Sequence, residues 1–319
     1  MSIPSHIEAR LCVPAIASPL FIISQPDLVI ATCRAGMIGA FPSLNARPSG
    51  KLEEWLQRLN AELTEKDAPY AVNLIVHRTN TRLDEDLALC VKYKVPIIIT
   101  SLGAVEKVNE AIHSYGGLVL HDVINDRFAR KAISKGADGI VAVANGAGGH
   151  AGTTSPFALV QEIREWFDGP LALSGAIASG ANIAAAQAMG ADLAYIGSPF
   201  IATQEAVADA RYKQMITECS SKDIVYSSLF TGVSGNYLKP SIAASGMDPD
   251  NLPSADPSTM SFNPNGGSTK PWRDIWGCGQ GISTIREIVP AAELVRRFGR
   301  EYRTAIARLS DLPARYRGA

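Results

Sequence analysis

The densest chemistry-bearing run in this 319-residue chain is NGAGGHAGTTSP at 145–156, which holds four glycines and one histidine. Glycine lets backbone approach a ligand closely and reach positive φ, and imidazole titrates nearest neutral pH, which suits a general base. His150 is therefore the candidate catalytic residue, with Gly148 and Gly149 beside it; the plainer alternative is that His150 caps or fills a tight turn. The same run satisfies G-x-G-x-x-A at Gly146, Gly148 and Ala151. A dinucleotide fingerprint, however, follows the first strand of its unit and opens directly into a helix, and here Thr153, Thr154, Ser155 and Pro156 intervene. Two further runs, SGAIASG (174–180) and IGSPF (196–200), place small residues ahead of helix starts and contain neither Lys nor Arg. Unpaired amides at the positive end of a helix hold an anion without a lysine; ordinary turn chemistry, with Ser179 as an N-cap, is the alternative.

Polar residues also stand where core is expected: Asn73 in YAVNLIV, Ser18 after the first apolar run, and His121 with Asp122 after the fifth. A buried Asn must satisfy its amide, so Asn73 reads as a contact to the edge of a planar ring. His121 reads equally as a cofactor contact and as a structural hydrogen-bonding group. His6, His77 and His113 have no supporting neighbours. There is no HExxH, no paired-Cys zinc spacing and no G-x-S-x-G elbow, so neither a metal site nor a serine hydrolase is expected.

These residues need a scaffold, and the chain supplies one. Short apolar runs alternate with helix-period segments from residue 12 to about 203: CVPAIAS (12–18), GMIGAF (36–41), YAVNLIV (70–76), VPIIIT (95–100), GLVLHD (117–122), GIVAVA (139–144), PLALSG (170–175) and LAYIGS (193–198). Such nearly continuous runs fit parallel strands covered on both faces. Between them lie stretches such as KLEEWLQRLNAELTE (51–65), whose Trp55, Leu56, Leu59 and Leu63 form one apolar stripe. Eight βα units predict an α/β fold, a (β/α)8 TIM barrel, in which function gathers at the carboxyl ends of the strands. Residues 1–204 are expected to form the barrel and 205–280 a smaller, mainly helical inserted cap that shapes the pocket. Within the cap, the Pro/Gly-rich stretch keeps Met260, Phe262 and Trp272 and reads as ordered loop; residues 281–319 are expected to return as helices, with Pro290 beginning or kinking the second.

Composition narrows the partners. Thirty Lys+Arg against thirty-one Asp+Glu leave a net charge of −1, which removes the electrostatic case for nucleic acid or an anionic membrane. No apolar run approaches the ~20 residues of a membrane span. Glu8 and Arg10 interrupt any signal-peptide core, so a cytoplasmic location is expected. The five scattered cysteines, without a C-x-x-C pair, read as reduced and mostly buried thiols.

The motifs VNLIV, GAGGHAG, SGAIASGANIAAAQAMGADLAYIGSPFIATQEA and WGCGQGISTIREIVPAAELV together resemble the nitronate monooxygenase family, formerly 2-nitropropane dioxygenases, over residues 12 to 305. The resemblance implies an FMN-dependent oxidoreductase, in which a small-molecule nitronate or nitroalkane and O2 give a carbonyl compound and nitrite. His150 would be the base, Gly148 and Gly149 would lie beside the flavin, and Asn73 would contact the isoalloxazine edge. His121 would be a further cofactor contact. Ser174, Gly175 and Ala176, with Tyr195, Ile196, Gly197 and Ser198, would hold the phosphate, and Gln280 would approach from the late WGCGQG run. Where family members carry Gln-Ala-Pro-Met after the first strand, this chain has Ala17, Ser18, Pro19 and Leu20, of which Ala17, Ser18 and Pro19 would contact the cofactor, and the second glycine of the phosphate motif is Ala176, whose methyl fits if φ stays negative. A homodimer is the assembly to test. Two other functions stay open: an FMN-dependent NAD(P)H:quinone or enoyl-thioester reductase, and a non-catalytic barrel that binds FMN or a phosphate ester.

Overall fold

The structure is a computed structural model that describes residues 3–48, 50–253 and 273–315. After a short opening helix α1 (Ser5–Glu8), the chain runs through β1 (Ala15–Ala17), α2 (Pro26–Arg34), β2 (Ile38–Pro42), α3 (Lys51–Glu62), β3 (Tyr70–Ile75) and α4 (Leu83–Lys92). It continues through β4 (Ile97–Ser101), α5 (Glu106–His113), β5 (Leu118–Val123), α6 (Asp126–Ser134) and β6 (Gly139–Val143). A two-residue strand β7 (Gly149–His150) precedes α7 (Pro156–Arg164), and β8 (Leu171–Ser174), α8 (Gly180–Met189), β9 (Leu193–Ile196) and α9 (Ser198–Ile201) complete the ring. Helix starts follow local chemistry: Asn125 and Ser179 accept N-cap hydrogen bonds from Phe128 and Asn182, and Pro26 and Pro156 stand in the first turns of α2 and α7.

Eight parallel strands close into a barrel in the order β1-β2-β3-β4-β5-β6-β8-β9, with β9 returning to pair with β1. All eight apolar runs expected to be strands are barrel strands. Alternation along each strand divides the side chains into two layers. Ile16, Ile38, Ala71, Ile97, Ile99, Leu120, Val141, Ala172 and Leu193 fill the interior, and Ile3 and Ile7 join this cluster from the amino-terminal segment. The residues between them pack outward against the helices; on α3 the stripe Leu52, Trp55, Leu56 and Leu59 is buried in that outer layer.

Residues 205–253 and 273–280 hold α10 (Ala210–Glu218), the antiparallel pair β10 (Ile224–Ser227) and β11 (Gly235–Leu238), and α11 (Lys239–Ala244). The two strands were not foreseen, and neither was their pairing with β7: Gly235 stands opposite His150 and Asn236 opposite Gly149. Met260, Phe262 and Trp272 fall outside the described residues. Of the two carboxyl-terminal helices expected, the first is only a 3-10 turn over Gln280–Thr284, and the second is α12 (Ala291–Arg315), which starts directly after Pro290. The proline lacks an amide hydrogen, a loss that costs nothing at a helix start. α12 crosses the beginning of α8, where Gly180 leaves no room for a Cβ against the Phe298 carbonyl. Cys33, Cys90 and Cys278 are buried, Cys219 is half-buried and Cys12 exposed, all as thiols. Among the described residues no helix is long and apolar enough to cross a membrane.

Candidate active site

A cavity of about 230 Å³ opens at the carboxyl ends of the barrel strands. Its lining includes Ser18 and Pro19 after β1, Asn73 on β3, and Gly148, Gly149 and His150 from the β6 loop. Ser174, Gly175 and Ala176 after β8, and Tyr195, Gly197 and Ser198 from β9, complete the set of expected residues that meet there. Asp122, noted in the sequence only as a polar residue at a strand end with no role given to it, and Ser101, which was not singled out, also line it.

Four expected contacts lie elsewhere. Ala17 and Ile196 are paired across β1 and β9 and belong to the outer cluster, one pleat position away from the inward Ile16 and Tyr195. His121 is likewise one position from the inward Leu120: its Nδ1 lies 2.6 Å from Thr100 Oγ1, and burial, then Lys131 of α6, pulls its pKa down to about 4. Gln280 is exposed; its backbone N–H donates to the Gly146 carbonyl at 2.9 Å, so it supports the loop with main chain.

The floor of the cavity is a short hydrogen-bonded row. Asn73 Nδ2 donates to the Ile99 carbonyl at 2.9 Å and to Ser101 Oγ at 2.7 Å, and Ser101 Oγ donates to Asp122 Oδ2 at 2.5 Å. Both Asn73 amide hydrogens are thus spent on the protein, and Oδ1 is its remaining polar group. Burial pushes the Asp122 carboxyl up to about 6, against the opposing pull of Ser101 and the Leu102 amide. Tyr195 is raised well above the usual tyrosine range by burial and then by the nearby Asp122.

His150 also lines the cavity and is held by the cap strands. Its backbone pairs with Gly235, and Ala151 on its far side donates to the Ser234 carbonyl at 3.2 Å and accepts from the Tyr226 hydroxyl at 2.8 Å. Its Nε2 lies 2.9 Å from Thr231 Oγ1. Removal from water lowers the imidazole pKa to about 4, so the ring is neutral at physiological pH and able to accept a proton.

The two turns expected to hold an anion are wired differently from expectation. The first amide of α8, at Gly180, donates to Glu301 Oε2 at 2.7 Å, and Ala178 N–H donates to Asn182 Oδ1 at 3.1 Å. A carboxylate from α12 therefore occupies that helix terminus. Ala176 N–H donates to the Gly146 carbonyl at 3.1 Å, and its φ is +56°, not the negative value that a methyl prefers. Ser174, Gly175 and Ala176 line the cavity from the first turn, and from the second come the Gly197 backbone and Ser198, whose Oγ accepts from Gly279 N–H at 2.7 Å and keeps its own proton for another acceptor.

This lining fits FMN. Glycine backbone forms one wall, and at Gly148 a Cβ would stand 2.6 Å from the Gly279 nitrogen, so backbone packs on backbone there. Asn73 Oδ1 and the Asp122 carboxyl offer acceptors to a ring edge that carries an N–H, and Ser198 offers a hydroxyl at the turn after β9. Among the described residues no cluster of His, Cys, Asp or Glu could hold a metal ion.

Comparison with known proteins gives the site a context. A family model described as nitronate monooxygenase matches residues 48–301. The nitronate monooxygenase of Paraburkholderia phytofirmans is similar at 27% identity, over 93% of this chain and 94% of its own. Among solved structures, FabK from Thermotoga maritima superposes with a TM-score of 0.80 at 25% identity, covering 97% of each chain. Nitroalkane oxidase from Streptomyces ansochromogenes superposes with a TM-score of 0.81 at 22% identity, covering 95% of this chain and 99% of that one, a likeness of fold.

Proposed function

The chain belongs to the nitronate monooxygenase family of FMN-dependent oxidoreductases, and on that premise we propose that it oxidises alkyl nitronates and nitroalkanes with O2, using His150 as the base. The observation that carries this reading is the neutral, desolvated imidazole of His150 on the rim of a cavity whose floor is Asn73, Ser101 and Asp122. FMN, when bound, supplies the electron-accepting chemistry. The chain does the rest. Gly148 and Gly149 leave space for a flat ring and a small substrate beside the imidazole. A neutral base in a site shielded from water takes the α-proton of a nitroalkane without first losing one of its own. Asn73, Ser198 and the Gly197 backbone would hold FMN by its two ends, and the pairing of β11 with β7 holds His150 beside it.

The test compares a neutral nitroalkane with the preformed nitronate. His150→Ala is expected to lower nitrite release from the nitroalkane by about 10²–10⁴-fold, the usual worth of a general base, while the nitronate is turned over at close to the wild-type rate. Equal losses on both substrates would remove the proton-abstraction role. A second reading, an NAD(P)H-dependent reductase, is favoured by the superposition with FabK. Anaerobic mixing separates the two: flavin bleaching by NADH supports the reductase, and bleaching by nitronate but not NADH supports the oxygenase.

A further inference from the structure

We propose that Asp122, the carboxyl on the cavity floor, sets the reduction potential of the bound FMN, holding it low while ionised and letting it rise when protonated. The inference rests on the cofactor and not on the choice between oxygenase and reductase. Reduction passes two electrons from a donor, which is thereby oxidised, and one proton from solvent to oxidised FMN. The flavin becomes an anion, and the cavity gains one negative charge. What that charge meets depends on the lining. The titratable side chains among the described lining residues are Asp122, His150, Tyr195, Tyr212 and Cys278, with no Lys or Arg. Burial lowers His150 to about 4 and raises Tyr195, Tyr212 and Cys278 well above their usual ranges, so these four are neutral near pH 8. Of the described lining side chains, Asp122 alone then carries charge.

The groups around the carboxylate leave that charge uncompensated. Ser101 Oγ donates to Oδ2 at 2.5 Å and the Leu102 amide donates as well, both neutral and both from the end of β4. Asn73 on β3 donates to Ser101. Tyr195 on β9 is close enough for the carboxylate to raise it, and β6 contributes the apolar Val141 and Val143. Lys131, the cation on α6, acts on His121 in the helix layer. A carboxylate and a reduced flavin that share one cavity of about 230 Å³ therefore repel over a short path of low dielectric. Burial pushes the Asp122 carboxyl up to about 6, and a bound flavin, by removing more water, pushes it further. The opposition is complete well above that pH and gone well below it. A low potential in turn makes the reduced flavin a stronger donor to whatever reoxidises it.

The experiment takes FMN-loaded wild type and Asp122→Asn, which keeps the shape of the side chain, and reads their potentials against indicator dyes during slow anaerobic reduction by xanthine and xanthine oxidase. At pH 8.5 the equilibrium constant for reduction is expected to be about tenfold or more higher in the variant, equivalent to about 30 mV for two electrons. At pH 5 the two constants should agree within about twofold, because the wild-type acid is then neutral as well. Should Asp122→Asn lose FMN, Asp122→Ser carries the same comparison. A variant potential equal to or below that of wild type at pH 8.5 overturns the proposal. So does a gap of the same size at pH 5, which would mark a change of shape and not of charge. Loss of FMN from both neutral variants would make the carboxyl a binding contact instead, and overturns it too. No nitro compound enters these measurements, so this proposal and the proposed reaction fail separately.

Discussion

His121 and Asp122 are adjacent in the chain and face opposite sides of the barrel wall. The imidazole meets Thr100 in the helix layer, and the carboxyl accepts from Ser101 inside the cavity. The pleat of β5 assigns the two positions, and it makes the carboxylate the ligand-facing member of the pair.

Asp122 should therefore cost the apoprotein stability wherever it is ionised. Its folded pKa, about 6, lies above the ordinary 3.8, so its favourable contribution is complete below about pH 4 and is lost as pH rises through 6. Asp122→Asn, which still accepts from Ser101, should match wild type near pH 4 and exceed it by roughly 3 kcal/mol near pH 7.5. Urea denaturation of the two apoproteins at both pH values checks this; a gap of the same size at both would refute it.

The buried histidines act in the opposite sense. His121 and His150 have folded pKa values of about 4 against 6.5, so their contribution is present above 6.5 and disappears as pH falls toward 4. Each accounts for up to roughly 3 kcal/mol of acid lability. His121→Gln should lose stability less steeply than wild type across that window while retaining FMN, because position 121 lies outside the cavity. Loss of the flavin spectrum in this variant would place the side chain in the site after all.

Ala176 holds a left-handed backbone conformation at φ +56°. That geometry costs an alanine about 1–2 kcal/mol, and a glycine gives back part of the gain through the greater freedom of its unfolded chain. Ala176→Gly is expected to raise Tm by a few degrees, equivalent to about 1 kcal/mol or less. A lower Tm would mean that the methyl contributes packing worth more than the strain.

Gly148 is expected to tolerate nothing larger. An added Cβ would stand 2.6 Å from the Gly279 nitrogen and 2.7 Å from the Cys278 carbonyl carbon, both main chain that cannot rotate aside. Gly148→Ala should keep the far-ultraviolet circular dichroism of the barrel and weaken FMN binding by at least about tenfold, or 1.4 kcal/mol. Flavin fluorescence titration measures it, and unchanged affinity would show that the two loops need not touch to hold the cofactor.

The barrel was legible because its strands are buried on both faces and read as continuous apolar runs. Strand ends were less so. Ala17, His121 and Ile196 each lie one residue from a position that faces inward, and without the register a terminal residue cannot be assigned a side. Asp122 could have been found by counting in twos from Leu120. The segments β7, β10 and β11 are two to four residues long, too short for periodicity to register, so the pairing of the hairpin with His150 left no trace in the sequence. Nor did Glu301: its place over α8 depends on a helix crossing that follows about 120 residues later.

The carbonyl of Gly146 receives hydrogen bonds from both Ala176 and Gln280, at 3.1 and 2.9 Å. Three stretches of chain far apart in sequence are thereby riveted through atoms that every amino acid possesses. A systematic alanine survey would pass over this joint in silence, and only replacing the amide of residue 176 or 280 by an ester would expose it. Grafting the segment around Gln280 onto a foreign barrel would accordingly require the loops at Gly146 and Ala176 to travel with it.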